Sequence, residues 1–110
     1  MFDALIANPG RLRILTALAA VPSQEFVRLR SATELTDGNL ATHARRLRSA
    51  GFLAIDKAFR DGKPVTTISL TPQGRSALKR HVDRLVDALG PAARSDRAQP
   101  VVESQDDWVD

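Results

Sequence analysis

The chain has 110 residues, enough for one small domain, and 43% of them are hydrophobic while only 5% are aromatic. Cysteine and tyrosine are absent, which excludes a thiolate nucleophile, a cysteine-based zinc finger and a redox switch, and leaves the core to Leu, Ala, Val and Ile. Sixteen Lys and Arg oppose 13 Asp and Glu unevenly: residues 1–90 hold 14 basic and 8 acidic side chains, residues 91–110 hold 2 and 5.

A basic body of this kind attracts phosphate, although a merely solvated surface has the same composition. His43 and His81 lie far apart in the chain, so a metal site would need carboxylates from elsewhere, and neither metal nor cofactor is expected. No apolar run approaches the ~20 residues of a membrane span. Met1-Phe2-Asp3 lacks the basic start of a signal peptide. The expected compartment is the cytoplasm.

Phe2, Leu5 and Ile6 stand at helical spacing at the start of the chain. Asn8-Pro9 reads as an N-cap followed by proline at the first helical position. The helix it opens runs from Pro9 to Ala20, with Leu12, Ile14, Leu15 and Leu18 apolar and Arg11 and Arg13 expected to face out. Val21-Pro22 ends it, and Ser23 is expected to cap a short second helix, Gln24 to about Ser31, whose apolar residues are Phe26, Val27 and Leu29. Thr36 or Asp37 caps a third helix that reaches Ala50, with Gly51 at the C′ position.

After Gly51 the period changes. Leu53, Ile55 and the stem of Lys57 alternate with Ala54 and Asp56 as a strand does, and Arg60-Asp61-Gly62-Lys63-Pro64 is a turn signal. Val65 to Leu70 makes the second strand, and Thr71-Pro72 opens a last helix that Gly90-Pro91 stops after Leu89. The final twenty residues, 91–110, are polar and acidic and are expected to form a flexible tail outside a domain spanning 1–90.

Helix, helix, helix, hairpin, helix is the layout of a winged helix-turn-helix, an α+β fold that is mostly helical. Within it, Leu35 to His43, Arg46-Leu47 and Ala50-Gly51-Phe52 resemble the recognition helix of bacterial winged-helix transcriptional regulators. Arg60 to Pro64, Thr66-Thr67 and Leu70 to Arg75 resemble their wing and the opening of their last helix. The similarity is to the small single-domain regulators allied to the MarR and ArsR groups, and it covers roughly residues 8 to 89. It implies a homodimer on double-stranded DNA, built through the terminal helices, and repression rather than activation.

The residues of the third helix support that expectation independently. Leu40, Ala44 and Leu47 form one narrow apolar stripe, and Gly38, Thr42, Arg45, Arg46 and Ser49 lie opposite with Asn39 at the side. Such a face fits a major groove about 12 Å wide, where Asn and Arg bond adenine and guanine edges. Thr36 and Asp37 at the helix start join the candidate DNA contacts, as does His43, for which a packed, hydrogen-bonded role is an equal alternative. On the wing the candidates are Arg60, Lys63, Thr66 and Thr67, directed at phosphates or the minor groove. An ordinary charged turn has the same residues.

The last helix has a wider apolar stripe than so small a core needs. Leu78, Val82, Leu85, Val86 and Leu89, with Phe2, Leu5 and Ile6, are the candidate dimer contacts, and packing within the chain is the alternative. Asp106-Asp107 is a carboxylate pair without a preorganised partner, and no nucleophile elbow or Gly-rich phosphate loop occurs, so an enzyme is not expected. Another class of function is a winged-helix module that binds protein instead of DNA. The acidic tail is also a candidate competitor for the basic face. Neither an operator nor a small-molecule effector is legible.

Overall fold

The computed structural model describes residues 3–90. The expected acidic tail and Phe2 lie outside them. Asp3 accepts from the Leu5 amide and starts α1 (Ala4–Ala7). Asn8 then breaks the run with an extended backbone, and its side chain accepts from the Arg11 amide, so that Pro9 opens α2 (Pro9–Ala20) as expected. Ile14, Leu15 and Leu18 of α2 are fully buried.

The second helix begins later than its capping residue implies. Ser23–Glu25 is a strand, β1, and α3 occupies Phe26–Thr33. Ser23 caps nothing. It lies opposite Ser69, whose hydroxyl donates to its own at 3.1 Å. The Leu70 amide donates to Pro22, which continues the pairing. A strand of three residues is stable only beside a partner more than forty positions away, and local capping rules do not register it. Of the expected apolar residues, Leu29 is buried and Phe26 half-buried, while Val27 is exposed.

Thr36 caps α4 (Asp37–Ser49) by accepting from the Asn39 amide at 3.1 Å, and Gly51 follows the helix with φ 85°. The hairpin is tighter than the five-residue turn signal. β2 (Leu53–Arg60) and β3 (Lys63–Leu70) leave only Asp61-Gly62 between them, with φ 54° and 77°. Positive φ at both positions is the two-residue turn whose twist matches the strands, and it suits Asp-Gly. The antiparallel sheet has the order β1-β3-β2.

Thr71 caps α5 (Pro72–Leu89), accepting from the Gly74 amide at 3.0 Å and donating to the Gly51 carbonyl at 2.7 Å. A Cβ at Gly74 would sit 2.1 Å from the Phe52 carbonyl oxygen, so only glycine lets α5 start this close to the end of α4. The core lies between the helices and one sheet face. Ile6, Leu29, Leu40, Leu47 and Ile68 join the α2 residues in it, each stabilising the fold by roughly 1.5–3 kcal/mol relative to exposure.

Candidate nucleic-acid interface

Four faces of α4 have different surroundings. Leu40, Ala44 and Leu47 are buried, as their stripe requires. Directly opposite, Gly38, Thr42 and Ser49 are exposed and small. At 100° per residue, Ala41, Arg45 and Arg48 fall on the flank toward the sheet, and Asn39, His43 and Arg46 on the flank toward α2. The exposed front is therefore a low ridge of small residues with cationic arms on both sides, Arg45 and Arg48 on one, Arg46 on the other.

The front end of α4 is occupied by its own structure. Thr36 spends its hydroxyl on the cap. Asp37 accepts from Arg30 Nη1 at 2.8 Å, an ion pair that braces α4 against α3. Both remain exposed.

His43 is half-buried and faces inward. Its Nδ1 accepts from Arg11 Nη1 at 3.2 Å, while Arg11 Nε donates to the Leu5 carbonyl at 2.5 Å. Burial first, and then the guanidinium groups of Arg11 and Arg46, hold His43 below the usual histidine pKa. This corrects the expectation for Arg11, which is only 9% exposed and joins α1, α2 and α4. Amphipathic spacing placed it outward. The contact from α4 that turns it inward is 32 positions distant. A Cβ at Gly10 would lie 2.8 Å from His43 Nε2, so the imidazole seats directly on the α2 backbone.

Strand alternation sorts the wing residues. Leu53, Ile55, Lys57 and Phe59 share the face toward α4 with their partners Leu70, Ile68, Thr66 and Pro64. Ala54, Asp56, Ala58 and Arg60 occupy the other face with Ser69, Thr67, Val65 and Lys63. Thr66 and Thr67 thus part company: Thr66 lies beside Lys57, Thr67 between Asp56 and Glu25. Arg60 forms an ion pair with Glu25, while Lys63 stands exposed at the turn.

Between α4 and the inner wing face runs a cleft of about 270 Å³. Ala41, Ile55 and Ile68 form part of its apolar wall, and Arg45, Arg48, Lys57 and Thr66 also line it. Sequence reasoning missed Arg48 and Lys57. The sequence marks Lys57 only by its stem, as a strand residue, and the register of the strand against α4 decides where its ammonium stands. The helical angle of Arg48, adjacent to Arg45 in projection, was the available signal.

Of the candidate dimer residues, Ile6, Leu78 and Val86 are buried within the chain, and Leu5 packs against its core. Val82, Leu85 and Leu89 are exposed at 37%, 39% and 72%. They recur at i, i+3 and i+7 along one side of α5. Among the described residues no helix is long and apolar enough to cross a membrane, and no group of His, Asp and Glu is placed to hold a metal ion.

A helix-turn-helix of α3 and α4 followed by a β-hairpin wing, with the exposed face of α4 beside the wing, defines a winged helix-turn-helix protein. The chain belongs to the winged helix DNA-binding domain family, whose sequence profile matches residues 11–89. It is similar to the protein MJ0432 of Methanocaldococcus jannaschii, 36% identical over 72 residues that cover 66% of this chain and 78% of that one. The structure of a transcriptional regulator homologue from Pyrococcus horikoshii superposes with a TM-score of 0.71 at 28% identity, covering 80% of this chain and 90% of that one. A mutant MarR of E. coli complexed with operator DNA shares the fold at a TM-score of 0.59 and 17% identity, over 78% of this chain and 58% of that one. Winged-helix DNA binding is thus the class of protein that the family and the fold define.

Proposed function

We propose that the chain is a sequence-specific, homodimeric repressor that reads double-stranded DNA in the cytoplasm. The observation that carries this reading is the front of α4: Gly38, Thr42 and Ser49 are small and exposed, with Arg45 and Arg46 on opposite sides. Small residues let the helix sink into the major groove, where long arms on each flank reach base edges or phosphates. Asn39 has the paired donor and acceptor that suit adenine. Lys57, Thr66 and Lys63 of the wing supply phosphate contacts beside it.

Val82, Leu85 and Leu89 on α5 are the dimer contacts in this reading, so that two copies of α4 meet successive major grooves about 34 Å apart. Bound across a promoter, such a dimer represses by exclusion.

The test is fluorescence anisotropy over a salt series, with duplex from the protein's own upstream region against scrambled duplex. Preference for the upstream duplex, with log K falling by about 0.9 per phosphate contact against log salt, is the expected result. Absence of binding at low salt by folded protein would overturn the reading in favour of a protein-binding module.

A further inference from the structure

The cleft between α4 and the wing joins two chemistries. Phe26, Ala41, Ile55 and Ile68 give it apolar walls, and Arg45, Arg48 and Lys57 stand at it from α4 on one side and β2 on the other. Among the described residues that line it none is acidic. The ion pairs among the described residues hold Arg30, Arg60 and Lys79 and use none of these three cations. Its volume of about 270 Å³ is several times the ~30 Å³ share of one water. Phosphates answer the cations and leave the apolar walls unfilled. A group that suits both is a flat apolar ring with carboxylates beside it.

The chain carries such a group itself. Residues 101–110, beyond the described residues, hold Glu103, Asp106, Asp107 and Asp110, no Lys or Arg, and the chain's one tryptophan, Trp108. In an extended segment residues two apart share a face, so Asp106 and Asp110 flank the indole. Reach is ample. α5 starts against the end of α4, where Thr71 donates to the Gly51 carbonyl, three residues past Arg48. The 18 residues of α5 make ~27 Å at about 1.5 Å per residue. The eighteen residues from Gly90 to Trp108 reach ~60 Å at about 3.3 Å each.

We propose that Trp108 docks between α4 and the wing of its own chain, with Asp106, Asp107 and Asp110 against Arg45, Arg48 and Lys57, and that the segment thereby competes with DNA for these cations. The competition rests on the DNA-binding reading above; the docking does not. Indole is the ring that guanidinium groups stack on best. A tether of this length holds the segment at an effective concentration on the order of millimolar. A docking constant of only about 0.1 mM then suffices to close the cleft about ten times as often as it is open, and weakens DNA binding by the same factor.

With one tryptophan and no tyrosine in the chain, fluorescence reports on Trp108 alone. In the full chain without DNA, emission at shorter wavelength than in denaturant and protection from acrylamide are expected, both unchanged on dilution. Arg48→Glu/Lys57→Glu returns the emission to that of the unfolded chain while circular dichroism stays that of the wild type, and so does adding the upstream duplex to the wild type. Emission of the wild type equal to that of the unfolded chain would overturn the docking. So would a shielded Trp108 that the double variant leaves in place, or one released by dilution, which would seat it elsewhere or on a second copy. Anisotropy then tests the competition with Trp108→Ala, which keeps every carboxylate. It is expected to bind the duplex about tenfold more tightly than the wild type at low salt, with the gap narrowing as salt rises, and Trp108→Phe restores most of the difference. Equal affinity of wild type and Trp108→Ala would overturn the competition. Failure of both to bind any duplex at low salt would instead sink the DNA-binding reading itself.

Discussion

Arg11 brings a permanent charge into a site that is 9% exposed, and its partners there are a carbonyl and an imidazole rather than a carboxylate. A buried guanidinium needs acceptors, and His43 serves as one only while Nδ1 is unprotonated. The folded chain therefore resists protonation of His43, and its pKa lies below the unfolded value. The unfolded chain takes up this proton first, so stability present at neutral pH declines as pH falls through about 6.5 toward the lower folded value. We expect the Tm of the wild type to drop more between about pH 7 and pH 5 than that of His43→Gln, whose amide oxygen accepts from Arg11 at either pH. Parallel Tm profiles would remove His43 from the acid response. For a histidine on the edge of an apolar stripe, a packed role was legible only as an alternative to a DNA contact. Its partner was not, since Arg11 has the spacing of a solvent-facing side chain.

The elements that meet at the interface were largely readable from capping residues and period. Thr36, Gly51 and Thr71 mark the helix ends where they were expected, and Asp61-Gly62 marks the turn. Two elements differ from their local signals: β1, because a three-residue strand exists by virtue of β3, and the hairpin, whose strands pair on through the turn signal to leave only Asp61-Gly62 between them. What the meeting of α4 with the sheet adds is a second row of cations, Arg48 and Lys57, across the cleft from one another. If they hold phosphates, the variant Arg48→Ala/Lys57→Ala lowers the salt slope of DNA binding by about two, roughly one per lost contact, while sequence preference persists. An unchanged slope would place both cations off the duplex. Arg60→Ala is the informative comparison: with its guanidinium held by Glu25, we expect a smaller change in slope than from either Arg48 or Lys57.

For the whole molecule the open surface is α5. Ile6 and Leu78, candidates for a dimer contact by their spacing, instead close the chain's own core. Val82, Leu85 and Leu89 remain on one exposed side of the helix. Replacing Leu85 and Leu89 by Asp sets two charges where the dimer reading requires apolar contact, and leaves the core untouched. Sedimentation equilibrium is expected to shift from dimer to monomer, and affinity for a two-half-site duplex to fall steeply because the second half-site is no longer linked to the first. A wild type that sediments as a monomer at micromolar concentration would reject α5 as the dimer surface.

Local chemistry sufficed for the fold class, for the stripe of Leu40, Ala44 and Leu47, and for the exposed small residues opposite them. Caps, periodicity and a two-residue turn act over a few neighbours, so the chain reveals them directly. Three features required residues distant in the chain to meet: the β1 pairing with β3, the inward turn of Arg11 onto His43, and the division of the wing into a face with Lys57 and Thr66 and a face with Thr67 and Arg60. Each depends on which surface of an element its neighbour covers. A side-chain period records that an element has two sides, whereas only packing decides what each side meets.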